Sequence, residues 1–153
     1  MFGNKATVVC IDNFSEFDGP RKEFLENFNK YKGENDATFI EGNCWDVDLG
    51  DSKFNIYLYD GAHEYEDHFK ALDKFYKNMD DTFIFVVDDW NWKKVRDGTI
   101  DAIKKLNLNI IFKHEVLLAS DDQHTPYDIG KFSWWNGICI FVLSKTHTIF
   151  SYL

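Results

Sequence analysis

Polar side chains stand directly after four apolar segments of this sequence. Asp12 follows the first segment, Asn43 the second, Asp60 the third and the pair Asp88-Asp89 the fourth. If these segments are parallel strands, their carboxyl ends lie along one edge of a sheet, where open α/β sheets bind ligands. The alternative is that each acid only caps the helix that follows it, a position where Asp is favoured anyway. Their recurrence favours one shared polar site over separate caps.

The four segments have the length and composition of buried strands. Short, continuous, β-branched apolar runs are typical of parallel strands that are covered on both faces. Two further segments, which follow the acidic pair, also have strand composition. The strands are predicted at residues 6–11, 38–41, 54–59, 82–87, 109–118 and 134–144.

Apolar residues at spacings of three and four predict helices between these strands. The spacing indicates helices over residues 24–31, 65–76 and 92–106, and Gly33 is a plausible end for the first. Alternating strands and helices indicate a single α/β domain over 1–153, with a parallel sheet and helices on both faces. No helical pattern separates the last two strands, so we expect them to pair antiparallel.

Charge and cysteine content exclude several classes of protein. The formal net charge is −9, whereas a nucleic-acid-binding protein needs a positive surface. No apolar run reaches the roughly 18 residues that cross a bilayer, and residues 1–7 lack the pattern of a signal peptide. Cys10, Cys44 and Cys139 are odd in number and widely spaced, which indicates a reducing compartment. We therefore expect a cytoplasmic protein that binds neither nucleic acid nor membrane.

Four segments resemble class I S-adenosylmethionine-dependent methyltransferases: VVCIDNF, ATFIEGNCWD, YLYDGAHEYED and FIFVVDDW. They look like the second to fifth strands of that family, and the likeness covers roughly residues 5–145. It is strongest to the macrocin and novobiocin O-methyltransferase type, with catechol O-methyltransferases as more distant relatives. The more specific part is a strand ending Asp-Gly-x-His that precedes a strand ending Asp-Asp. The resemblance implies a Rossmann-like, open, mostly parallel sheet with a C-terminal antiparallel pair.

The resemblance also implies a site for the methyl donor. The acid that closes the second family strand binds the ribose hydroxyls, and in this sequence that acid is Asp12. The turn after the third family strand lies against adenine and matches Asn43 and Cys44. Asp60 is the fourth residue that the resemblance places at the methyl donor.

The metal-dependent members of the family hold Mg²⁺ through residues that match Asp60, Asp88 and Asp89. Three carboxylates suit a hard, octahedral cation that also binds water and substrate oxygens. Family members often carry a second Asp two residues after the first, but Ala62 stands there. His63 is the next titratable group and a candidate catalytic base, although a structural hydrogen-bonding role is equally open to it.

One element of the family has no counterpart in this sequence. Class I methyltransferases begin with a strand and a glycine-rich turn, and no such segment precedes Ala6. The resemblance therefore implies an N-terminally incomplete member in which donor binding is weak or absent. The absent strand lies between the strands that end at Asp12 and Asp60. We expect these two strands to pair with each other in a six-stranded sheet, or a homodimer to fill the gap.

Two functions of different classes follow. The first is Mg²⁺-assisted methyl transfer to a hydroxyl of a small molecule. The second is a non-catalytic binding or assembly module that keeps the fold. A phosphoacceptor receiver domain is disfavoured because its paired acids close the first strand, and a dehydrogenase because no G-x-G-x-x-G follows a strand. Tyr65, Trp90 and Trp92 are candidates either for walls of the substrate site or for core packing.

Overall fold

The computed structural model of the protein describes residues 5–16, 19–120 and 122–146. The chain forms two compact units, of which the first ends at Leu49 and the second begins at Gly50. The predicted single domain over 1–153 stays a prediction. The elements in chain order are β1 Thr7–Asp12, α1 Arg21–Tyr31, β2 Asp36–Glu41, β3 Phe54–Tyr59, α2 Tyr65–Phe75, a 3₁₀ turn Tyr76–Asn78, β4 Met79–Asp88, α3 Lys93–Lys105, β5 Asn109–Val116, α4 Tyr127–Gly130 and β6 Ile138–Ser144.

All six predicted strands and the three longer helices are therefore confirmed as elements. The last strand begins at Ile138 rather than at residue 134. None of the described helices is both long and apolar enough to cross a membrane.

The first unit is a β-α-β arrangement. β1 and β2 pair in parallel with Asp12 opposite Glu41, so both strands end at the same edge. α1 packs on this pair through aromatic contacts, in which the ring centroid of Phe24 lies 4.8 Å from that of Phe39. Arg21 at the start of α1 donates two hydrogen bonds of 2.8 Å to the carboxylate of Glu41.

The second unit contains a four-stranded sheet in the order β3-β4-β6-β5. β3 and β4 are parallel, whereas β6 is antiparallel to both β4 and β5. The antiparallel pairing of the last two strands is confirmed. The mostly parallel sheet as a whole stays a prediction, but within this sheet β3, β4 and β5 run in one direction and only β6 runs against them. The physical reason is the return from β5 to β6: without a crossover helix packed on the sheet, the chain comes back antiparallel and enters between β4 and β5.

The prediction that all six strands form one sheet is wrong. In the described residues, the hydrogen-bonded ladders form two sheets, and β1 is not paired with β3. Each strand takes its neighbour in sequence instead, β1 with β2 and β3 with β4, as short β-α-β connections favour. The alternative expectation, a homodimer, stays a prediction.

The core of the second unit lies between one face of this sheet and helices α2 and α3. Phe83, Phe85 and Phe141 project from β4 and β6 into this layer and are almost completely buried. Trp90 is also fully buried, and its indole N–H donates a 2.7 Å hydrogen bond to Glu115 Oε1. Of the two readings left open for Trp90, core packing is therefore the one that the structure supports.

Candidate functional site

The carboxyl ends of β3 and β4 meet at one edge of the second unit. Tyr59, the last residue of β3, is paired with Val87, one residue before the end of β4. Because the strands are parallel and in register, the residues that follow them emerge side by side. The structure thereby brings Asp60, Asp88 and Asp89 to the same edge, in the arrangement that the strand-end pattern predicts.

Three side chains at this edge could hold a metal ion. Asp60, His63 and Asp89 each offer a ligand atom, and these atoms all lie within 4.8 Å of one another. Ligands that bind one cation at roughly 2.0–2.6 Å necessarily lie within about 5 Å of each other, so the spacing fits. Asp88 is not part of this group in the part of the chain that the structure describes. The geometry therefore places His63 where the sequence analysis placed Asp88.

His63 and Asp89 form an ion pair in which Nε2 lies 2.7 Å from Oδ2. The hydrogen bond to Asp89 raises the pKa of His63, and burial opposes this only in part. Burial by itself would raise the pKa of Asp89, but the hydrogen bonds from His63 and Asn136 outweigh it and lower the pKa. The pair is therefore most stable as imidazolium and carboxylate, and His63 must lose its proton before it can bind a cation or act as a base.

Asp88 has different surroundings from Asp89. Burial raises its pKa to about 6, and the nearby charge of Asp60 acts in the same direction. The indole N–H of Trp134 donates a hydrogen bond to Asp88 Oδ1 and offsets part of this effect. One oxygen of Asp88 is thus engaged by a neighbour outside the acidic group.

The segment that precedes β6 supplies two side chains that the sequence analysis missed, Trp134 and Asn136. Asn136 Nδ2 donates a 2.9 Å hydrogen bond to Asp89 Oδ1, so the other carboxylate oxygen of Asp89 is the one that faces His63. Thr125 holds Asn136 in turn: its backbone N–H donates a 3.2 Å hydrogen bond to Asn136 Oδ1, and its hydroxyl oxygen accepts one of 3.0 Å from the Asn136 backbone N–H. A sequence signal was present, since Asn-Gly is typical of turns with positive φ, and Asn136 has φ 59°.

The residues predicted to bind the donor's nucleoside lie in the first unit, at the carboxyl ends of β1 and β2. Asp12 Oδ1 accepts a 2.6 Å hydrogen bond from the Phe14 N–H, and its carbonyl accepts one of 3.0 Å from Gly42. Asn43 Oδ1 accepts a bond from the Trp45 N–H at 3.0 Å. The structure therefore brings Asp12 beside the turn that contains Asn43 and Cys44. Asp60, the fourth residue predicted at the donor, belongs to the second unit.

Tyr65 and Trp92 line an open groove of about 570 Å³ at the start of α3. Trp92 also belongs to the acidic site, because a hydrogen bond from its side chain helps to lower the pKa of Asp89. Its ring packs edge-on against His124, with 4.9 Å between ring centroids. A role of these two residues as walls of a substrate site stays a prediction.

No known protein family matches the chain, and no curated protein matches it either. Among solved structures, it is similar to a Corynebacterium glutamicum protein, with a TM-score of 0.53 and 14% sequence identity. The similarity covers 93% of this chain but only 62% of that protein, so this chain spans less than two thirds of the length of the protein that it matches. At this identity the likeness shows an α/β, Rossmann-like fold and nothing finer.

Proposed function

We propose that the chain carries the site of a divalent-cation-assisted, S-adenosylmethionine-dependent O-methyltransferase that acts on a hydroxyl of a small molecule. The observation that carries the proposal is the group Asp60, His63 and Asp89 at the carboxyl ends of β3 and β4. The sequence resemblance supplies the reaction type.

A cation at this position would lower the pKa of a substrate hydroxyl and so make it a better nucleophile. Asp60 and Asp89 supply carboxylate oxygens for it, and Mg²⁺ is the cation that the resemblance implies. Asn136 fixes the Asp89 carboxylate through a 2.9 Å hydrogen bond. His63 either accepts the substrate proton, as the sequence analysis proposed, or binds the cation itself.

Binding of the donor's nucleoside is assigned to the first unit. Asp12 has one carboxylate oxygen engaged by the Phe14 N–H, which leaves the other for a ribose hydroxyl. The adjacent turn has room for a planar base, because a Cβ placed on Gly42 would meet nothing within 4 Å.

The test is methyl transfer from radiolabelled S-adenosylmethionine to a panel of catechols and other small hydroxylated acceptors, with and without a chelator. We expect transfer that needs a divalent cation. Asp60→Asn should lower it by about a hundredfold or more, because the variant loses a charged cation ligand. Asp80→Asn, at an exposed acid near the start of β4, is the matched control and should retain activity. Transfer that resists both the chelator and Asp60→Asn would contradict the proposal.

A second candidate, a non-catalytic binding or assembly module, is favoured by one feature of the second unit. Ile56, Leu58 and Phe112 are 58%, 53% and 52% exposed on its sheet, although they are large and apolar. Exposed apolar groups of this kind often mark interaction surfaces. Such a module would bind a partner through this face and show no methyl transfer in the presence of any cation.

A further inference from the structure

We infer that His63 is a cation ligand rather than the catalytic base, and that the site binds transition-metal cations such as Mn²⁺ in preference to Mg²⁺. The inference rests on the cation site of the proposed function, but it does not depend on methyl transfer.

The first argument is geometric. His63 Nε2 and Asp89 Oδ2 are 2.7 Å apart, and an oxygen of Asp60 lies within 4.8 Å of both ligand atoms. Two ligands at right angles around a cation at roughly 2.1 Å are about 3 Å apart. The separation of His63 Nε2 and Asp89 Oδ2 is therefore within a few tenths of an ångström of that of two ligands of one ion, and a rotation of the imidazole would turn its nitrogen, freed of the proton that the pair shares, toward the ion. The cation would displace that proton.

The second argument concerns the alternative ligand set. An all-oxygen site would need Asp88, whose Oδ1 accepts the indole N–H of Trp134 and which lies outside the group of close ligand atoms. Asp89, in contrast, has one oxygen fixed by Asn136 and the other directed at His63. Hydrogen bonds that orient a ligand in this way are common around metal sites. Asp60, Asp89 and His63 thus offer two carboxylate oxygens and one imidazole nitrogen as ligands.

An independent observation comes from His68 on α2. Its ring is 1% exposed, and neither nitrogen has a hydrogen-bond partner among the described residues. The charges of His63 and Asp89 both act on this ring, which places it within the electrostatic range of the same two side chains. A buried polar group is rarely left without a partner, and a hydrated ion is one of the ligands that satisfies it.

The ligand chemistry then decides the metal. Mg²⁺ prefers oxygen ligands only, whereas the divalent first-row transition metals accept imidazole nitrogen readily. A site in which a histidine nitrogen binds the ion directly therefore holds Mn²⁺ more tightly than Mg²⁺, and part of that preference comes from the imidazole.

The experiment measures Mn²⁺ binding to the chelator-treated chain by electron paramagnetic resonance, with Mg²⁺ as competitor. We expect one bound Mn²⁺ whose electron-spin-echo signal is modulated by a ligand nitrogen. His63→Gln should remove the modulation and weaken Mn²⁺ binding by about tenfold or more, while Mg²⁺ binding changes less. His114→Gln, at an exposed histidine of β5, is the control and should bind Mn²⁺ as the original chain does.

Three results would overturn the inference: no Mn²⁺ binding, bound Mn²⁺ without nitrogen modulation, or loss of binding in Asp88→Asn but not in His63→Gln. The spectroscopic result on the unaltered chain does not depend on whether a variant folds. Nitrogen-coupled Mn²⁺ in a chain that transfers no methyl group would support the inference and contradict only the proposed function.

Discussion

At the scale of single residues, two histidines five positions apart have opposite electrostatic surroundings. His63 is raised in pKa by its bond to Asp89. His68 is buried without a hydrogen-bond partner among the described residues, and burial lowers its pKa to about 4. The fold therefore favours a charged ring at one position and a neutral ring at the other. The difference arises because His68 is buried without a hydrogen bond among the described residues, whereas His63 is hydrogen-bonded to the carboxylate of Asp89.

The surroundings of His68 predict an acid-sensitive contribution to stability. Its pKa in the folded chain, about 4, lies below the ordinary value of 6.5, so the unfolded chain binds more protons between these values. His68 therefore lowers the free energy of unfolding as pH falls from about 6.5 to about 4, by up to about 3 kcal/mol. His68→Leu should remove this contribution and stabilise the protein more at pH 5 than at pH 7.

Urea unfolding at both pH values, followed by tryptophan fluorescence, measures the effect. His114→Leu, at an exposed position of β5, controls for the loss of an imidazole as such. Equal effects of His68→Leu at the two pH values would contradict the prediction.

At the scale of elements, the contact between α2 and α3 depends on a glycine. A Cβ placed on Gly98 would lie 2.3 Å from the carbonyl oxygen of Tyr65 and 3.2 Å from the Cβ of His68. The first of these atoms belongs to the backbone and cannot turn away. α3 therefore approaches the start of α2 closely only because residue 98 has no side chain. This approach helps to hold the helix that follows His63 against the helix that follows Asp89.

Gly98→Ala should destabilise the second unit. Alanine favours a helix by about 1 kcal/mol over glycine, but the helices would have to separate, and overpacking costs about 1–3 kcal/mol. We expect the free energy of unfolding to fall by up to about 2 kcal/mol, the difference between these two terms, as measured by denaturant titration. Gly42→Ala is a suitable control, because its Cβ would meet nothing within 4 Å. A Gly98→Ala protein at least as stable as the original would show that the helices separate freely.

At the scale of the whole molecule, the protein combines an exposed apolar face with a strongly acidic composition. The net charge of −9 favours a dispersed protein. Yet Ile56 and Leu58 on β3 and Phe112 on β5 are all more than half exposed, on the sheet face opposite to α2 and α3. This face contains apolar side chains on which a second copy could pack, which is a different contact from the gap-filling homodimer that the sequence predicts.

We therefore expect the chain to associate in a concentration-dependent way through this face. The double variant Ile56→Thr, Leu58→Thr places β-branched threonines, which suit a strand, at both positions and removes apolar area from the face. Association should therefore weaken by roughly tenfold or more. Sedimentation equilibrium measures the dissociation constants. Ile129→Thr, at an exposed apolar residue of α4, is the control. A monomeric original chain would contradict both this contact and the predicted homodimer, whereas equal association of the double variant would contradict only the use of this face.

The sequence by itself determined the elements and the edge at which polar residues collect. Apolar runs and helical spacing depend on neighbours in the chain, so β3, β4 and the helices were predictable. The placement of Asp60 and of the Asp88-Asp89 pair followed from the strand ends alone. The antiparallel pairing of β5 and β6 followed from the lack of a long helical pattern between the two strands in the sequence.

Only the tertiary structure decided which side chains meet at that edge. Trp134 and Asn136 are 46 and 47 positions from the acids that they contact, and β6 delivers them because it enters the sheet beside β4. The choice of His63 over Asp88 as neighbour of Asp60 and Asp89 also depends on these contacts. Contacts between distant segments leave no trace in local periodicity. They depend on which strands become neighbours in the folded sheet, and that is decided by the packing of the whole unit.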